Sequence, residues 1–185
     1  MKLSWKELQK YCNMNKQSIV LLSIAMLGSL FLSCGNEQKK PPVDLKEKEQ
    51  VKGEVSVPYS ELGGVKTIPV KLNGVSMDMI FDTGCSGMSI SLNELLTMQK
   101  NGKFSESDFV GITEATIADG SVVEKGLINL HEVEIGGKDG IILHNIKASV
   151  ALNQIAPILL GNGVIDAVAS VEVDNINKTI KFKRR

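Results

Sequence analysis

Asp82-Thr83-Gly84 follows the apolar run Met79-Ile80-Phe81 and runs on into Cys85, Ser86 and Gly87. A carboxylate placed where a buried strand ends is well situated for proton-transfer chemistry. Gly84 allows a tight turn that brings backbone N–H groups close to the acid. Ser86 and Gly87 extend the same compact polar turn. The same residues also suit an aspartate that only caps a β-turn, and local chemistry leaves both readings open.

Other chemically able residues form weaker sets. His131-Glu132 begins like the zinc-peptidase pattern His-Glu-x-x-His, but residue 135 is Ile and the stretch alternates like a strand. The second histidine, His144, reads as a turn residue. No metal site is expected. Cys85 would be a nucleophile only with a histidine beside it. A small core residue, or a redox-sensitive neighbour of the carboxylate, are the other readings. Asp174-Asn175-Ile176-Asn177 lacks the twelve-residue calcium loop and its closing Glu, so a hairpin turn explains it. Gly161-Asn162-Gly163 is too short for a phosphate loop.

The elements that position these residues read mostly as short strands. Aromatics make up only 4% of the 185 residues, so the core must come from Ile, Val and Leu, which favours strands. Val65–Leu72 alternates, with Pro69 arguing for an edge or early position. Asn73-Gly74 is a hairpin signal, and Val75–Phe81 and Met88–Ser91 continue as strands. Ser91 and Glu94 have capping-box spacing before a helix ending near Gly102, with Leu92, Leu95, Leu96 and Gln99 on one face. Ile112–Ala118 and Ser121–Glu124 form a hairpin about Asp119-Gly120. Strands follow at Leu127–Ile135, Ile146–Ala151 and Ile158–Leu160. One or two helical turns at Val164–Val168 precede a closing hairpin, Ser170–Val173 with Thr179–Lys183. Many short strands, glycine turns and two small helices predict one all-β domain closed into a barrel. A Rossmann-like fold is excluded, because long crossover helices are missing.

The N-terminal third has a different character. Residues 19–32, IVLLSIAMLGSLFL, are an uncharged run too short for a standard membrane-spanning helix. Lys16 precedes the run, and Ser33 and Cys34 close it, as in a secretory signal. The ending resembles the lipobox of bacterial lipoproteins, which implies that Cys34 is lipidated and becomes the mature N-terminus. Residues 1–34 are therefore assigned as signal peptide, with Met14 the expected true start. An uncleaved anchor helix within 17–33 is the alternative. Residues 35–52, GNEQKKPPVDLKEKEQVK, have few apolar side chains and read as a disordered tether. The folded domain is expected over 53–185. The expected location is extracytoplasmic, lipid-anchored to the bacterial cell envelope on the periplasmic side or at the outer membrane. The first 34 residues carry four lysines and one glutamate of the chain's 21 basic and 21 acidic residues, so the remainder has a net charge of −3. With no basic patch interleaved with aromatics, nucleic acid is not an expected partner.

Phe81-Asp82-Thr83-Gly84-Cys85-Ser86 resembles the active-site motif of aspartic proteases, with Cys85 where Ala is usual. Ile158-Leu159-Leu160-Gly161, about 76 residues later, resembles the second signature of that family, an apolar strand closed by Gly before a short helix. Residues 55–183 together look like a bacterial retropepsin-like domain. The resemblance implies a retropepsin-like acid protease barrel and an aspartic endopeptidase that uses neither metal nor cofactor. A single Asp-Thr-Gly implies a homodimer with Asp82 contributed by each copy. Thr83 would bond across the interface, Gly84 would position the carboxylates, and Ser86 would support the loop. The hairpin at Asp119-Gly120 lies where the family has its flap, though it also reads as an ordinary hairpin. Substrate would be an extended peptide, and Thr179–Lys183 would join the dimer sheet. The alternative function is a catalytically inactive peptide- or protein-binding envelope lipoprotein of the same fold.

Overall fold

The computed structural model describes residues 53–117, 119–137 and 139–185. The signal, lipidation and tether expectations fall on residues 1–52 and lie outside the described residues. Eleven strands are present among those described: β1 (Glu54–Pro58), β2 (Ser60–Leu62), β3 (Val65–Leu72), β4 (Val75–Phe81), β5 (Met88–Ser91), β6 (Phe109–Thr116), β7 (Val122–Ile135), β8 (Ile141–Ala151), β9 (Leu159–Leu160), β10 (Ser170–Asp174) and β11 (Thr179–Lys183). Two short helices, α1 (Leu92–Lys100) and α2 (Asn162–Ile165), interrupt them. The expected all-β, one-domain class is what the chain adopts.

The larger sheet runs β2-β3-β4-β9-β5-β8-β7-β6, and an additional β3–β7 pairing joins Val70, Lys71 and Leu72 to Ile135, Glu134 and Val133. That pairing closes six strands, β3-β4-β9-β5-β8-β7, into a ring, which is the expected barrel. Closure gives both sides of these strands a partner over part of their length. Alternation sorts the side chains. Ile68, Val70, Leu72, Met88, Ile90, Ile128, Leu130, Ala148, Val150 and Leu160 are almost fully buried. Pro69 sits where one side of β3 passes from its β2 partners (65–67) to its β7 partners (70–72). The missing N–H therefore falls in a gap, and β3 is not an edge along its whole length.

Local chemistry fixes the turns that matter. Asn73 and Gly74 have φ of 48° and 82°, the left-handed pair that a two-residue hairpin needs. Ser91 caps α1: its hydroxyl accepts from Asn93 N–H, while Glu94 accepts from Ser91 N–H. The buried face of α1 is Leu92, Leu95 and Met98. Met98 thus takes the place expected for Gln99, because three-residue steps track the core side as well as four-residue steps.

Three expectations are corrected. Ser121–Glu124 and Leu127–Ile135 are one 14-residue strand, β7, since Lys125-Gly126 continues the ladder to β6 without a turn. The strand expected at 146–151 begins at Ile141, so His144 lies within β8 and not in a turn. Asn145, with φ 57°, is the local irregularity. Finally, β11 is the central strand of a separate sheet, β1-β11-β10. Both of its sides are filled by its own chain, so Thr179–Lys183 has no free ladder edge for a partner. The edges of that sheet are β1 and β10.

Candidate active site

Asp82 is the first residue beyond β4, and its position is set by β9. The two strands run parallel, with Ile80 beside Leu159 and Phe81 beside Leu160. The ladder continues into the loop, because Asp82 N–H donates to Leu160 O at 3.1 Å. On its other side β9 pairs antiparallel with β5 through Met88 and Ser89. The two sequence signatures, distant along the chain, are thus neighbours: β9 is wedged between the strand that enters the Asp82 loop and the strand that leaves it.

The loop folds around the carboxylate. Gly84 N–H donates to Asp82 Oδ1 at 2.8 Å, and Cys85 N–H donates to Asp82 O at 3.2 Å. A Cβ on Gly84 would stand 3.1 Å from Asp82 Oδ1, so glycine leaves that oxygen room. Asp82 and Cys85 are half-buried, while Thr83, Gly84 and Ser86 are exposed. Among the described residues, no hydrogen bond or ion pair joins Asp82 to a second carboxylate, and no cluster of three metal-ligating side chains exists.

Gly161 closes the back of the loop. A Cβ there would overlap Gly87 O and Cys85 O and stand 2.8 Å from Cys85 Cβ. Directly after it, Asn162 binds the loop twice. Its N–H donates to Cys85 O at 2.8 Å and its Nδ2 to Thr83 O at 3.1 Å. In the sequence Asn162 stands only within Gly161-Asn162-Gly163, which is too short for a phosphate loop. The usable signal was its place right after the second signature, where a polar side chain has little to do except hold the loop in front of it.

The hairpin of β6 and β7 turns at Asp119-Gly120 as expected. Gly120 N–H donates to Ile117 O at 2.9 Å and Ser121 N–H to Asp119 Oδ1 at 2.8 Å. The Ser121 hydroxyl and N–H hold the Asp119 carboxyl below its ordinary range. On the side away from β6, β8 pairs with β7 only from Gly126 onward, so Val122–Lys125 have β6 as their only ladder partner. The tip is therefore a two-stranded ribbon beyond the β7–β8 pairing.

A groove of about 460 Å³ lies elsewhere, lined by Asn73, Lys103, Asp108, His131 and Glu132 among others. It sits by the β3–β4 turn, at the opposite end of β4 from Asp82, and no residue of the Asp82 loop lines it. Its buried Asp108 accepts from Ser105 N–H at 2.8 Å and bonds His131 Nε2 at 2.7 Å. Burial pushes that carboxyl up, but the Ser105 N–H, the His131 ring and the Ser105 hydroxyl hold it below the ordinary carboxylate range. A depressed folded pKa means stability that is complete above about pH 4 and lost as pH falls through the folded value. Asp108→Asn should therefore cost about 1–3 kcal/mol at neutral pH. The gap in Tm between variant and wild type should narrow on acidification towards about pH 3, read by thermal denaturation. A constant gap across that window would show that the Asp108 charge is not what matters.

Comparisons with known proteins return a family and a solved structure. The family model described as "gag-polyprotein putative aspartyl protease" matches residues 68–167, more than half of the chain. Among solved structures, the chain is similar to a retropepsin-like aspartic protease from Rickettsia conorii, with 21% identity, a TM-score of 0.49, and coverage of 71% of this chain and 90% of that one. No curated protein matches. The match takes in the Asp82 loop, the hairpin, β9 and α2 in one continuous span, and the chain belongs to this aspartyl protease family.

Proposed function

We propose that the chain is an aspartic endopeptidase that works as a two-fold homodimer, its dyad formed by Asp82 from each copy. One observation carries the reading. Each chain builds a complete, glycine-supported cradle for one carboxylate, and its described residues supply no second carboxylate to it. A two-fold axis beside the exposed Thr83 would supply the missing acid.

The chemistry follows from like charges at close range. Two carboxylates about 3 Å apart cannot both ionise cheaply, so the pair holds one proton and titrates as a unit. The ionised member takes a proton from a water lying between them. The protonated member donates to the scissile carbonyl and stabilises the oxyanion as the water attacks. The tetrahedral species collapses with proton transfer to the leaving nitrogen. Gly84 N–H, already on Oδ1, keeps the acid oriented through the cycle. The β6–β7 ribbon closes over an extended peptide and excludes bulk water.

In the same reading the enzyme is exported and held at the envelope by a lipid on Cys34, with 35–52 as tether. The mass of the mature N-terminus decides this part. The test of the central claim is activity against concentration. The full chain, incubated with a diverse peptide mixture, should cleave with a rate per subunit that falls on dilution, in step with dimer dissociation followed by sedimentation. Full specific activity in a strictly monomeric sample would remove the shared site.

A further inference from the structure

We infer that Lys125 sits in the substrate cleft and selects a peptide with an acidic side chain close to the scissile bond. The inference rests on the endopeptidase reading above and adds a substrate class to it. The starting point is a row of residues paired across five strands: Ile80 with Leu159, Leu159 with Ser89, Ser89 with Ser149, and Ser149 with Leu127. Residues paired across a ladder share one face of the sheet. The adjacent row, Leu160, Met88, Ala148 and Ile128, is fully buried in the barrel. The Ile80 row therefore lies on the opposite, outer face. Asp82 is two residues beyond Ile80 and still on the β9 ladder through its N–H, so strand alternation puts its side chain on that outer face too.

The Ile80 row is thus a floor leading away from the carboxylate. Its apolar part nearest the carboxylate is Ile80 and Leu159, both half-buried, and Leu127 ends the row at its far side. Its polar part is Ser89 and Ser149. Ser149 Oγ is used by Met88 O at 3.3 Å. Above Ser89 stands Lys125, on the β6–β7 ribbon that would cover the site, with Nζ donating to Ser89 Oγ at 3.4 Å.

This contact is a poor match for an ammonium group. Lys125 is half-buried, Ser89 is only 3% exposed, and the bond is long. Other lysines of this domain, Lys66, Lys71 and Lys181, have carboxylates within 4 Å. Among the described residues Lys125 has none. A partly desolvated cation without a counter-ion is costly to keep. A cation set between cover and floor gains that counter-ion when an Asp or Glu of the substrate lies in the cleft. The carboxylate would meet the Lys125 ammonium and the Ser89 hydroxyl together, a charge-assisted pair screened from bulk water once the ribbon closes. Ile80 and Leu159 would take an apolar neighbour nearer the cut.

The experiment profiles cleavage of a diverse peptide mixture by the full chain and by Lys125→Gln and Lys125→Glu. In wild type, one position near the cut should favour Glu or Asp over Gln by about ten-fold or more in kcat/KM, with the preference shrinking as salt rises. Lys125→Gln should flatten that position, and Lys125→Glu should turn it towards Lys or Arg. An unchanged profile in both variants overturns the inference, as does a basic preference in wild type. Should wild type cut nothing, the endopeptidase reading falls by itself. The inference is then decided by titrating acidic and neutral peptides of otherwise equal sequence into wild type and Lys125→Glu. Acid-selective binding lost in Lys125→Glu supports it, and equal binding overturns it.

Discussion

Asp82→Asn should abolish peptide cleavage while leaving the fold and the proposed dimer in place. The amide has the same size as the carboxylate, and its oxygen can still accept from Gly84 N–H, which lies 2.8 Å from Oδ1 in wild type. Asp82 N–H keeps its bond to Leu160 O, because that is backbone. The change in Tm should be small. Neither proton-transfer role survives, since an amide cannot take a proton from water or cycle one to a leaving group. A loss of about 10³-fold or more in kcat is expected. Mixing gives a sharper reading. If two copies share the site, wild-type and variant subunits exchange into dead heterodimers. Activity should then follow the square of the wild-type fraction, to about one quarter in an equal mixture. A linear fall to one half would mean that each chain acts alone, and wild-type rates in the variant would remove Asp82 from the chemistry.

The turn geometry of the Asp82 loop was legible in the sequence. Asp82 and Gly84 could be read because their constraint is local: an apolar strand, an acid, and a glycine whose N–H turns back onto the acid. The α1 cap was legible for the same reason, Ser91 and Glu94 being three residues apart. A closed barrel was legible from the strand pattern, but the pairing that closes it was not. Closure depends on Val70–Leu72 meeting Val133–Ile135, a pairing over about sixty residues that no local period reports. The polar His144-Asn145 pair interrupts the apolar pattern and reads as a turn, yet the ladder partner of His144, Glu132, keeps the strand running. The place of Thr179–Lys183 came out differently for a related reason. A strand's own sequence shows that it wants partners but not which chain supplies them, and here β1 and β10 fill both sides. Asn162 and Lys125 belong to the same class. Their roles are contacts with Thr83 and Ser89, 79 and 36 residues away, and neither follows from its neighbours.

Gly161→Ala should damage both stability and activity with a single added methyl. Glycine is usually explained by backbone freedom, but Gly161 has φ −106° and ψ −163°, which any residue adopts. The constraint is space. The added Cβ would collide with the carbonyl oxygens of Gly87 and Cys85, both backbone atoms of the Asp82 loop. No rotamer relieves such a clash, so the loop and β9 must separate. That movement stretches the Asn162 N–H bond to Cys85 O and the Nδ2 bond to Thr83 O, the two ties that hold the loop from behind. A cost of about 1–3 kcal/mol in stability is expected from overpacking. Activity should fall further than stability explains, by about 10²-fold, because a displacement of about 1 Å would misalign Asp82 with the second acid and the water of the proposed mechanism. Gly163→Ala is the control two residues on. Its Cβ would stand 3.4 Å from Gly87 Cα, an ordinary contact, and alanine suits the short helix better than glycine. That variant should match or slightly exceed wild type in Tm and retain its activity. Equal behaviour of the two variants, in either direction, would mean that close packing of β9 against the catalytic loop is not what glycine at 161 provides.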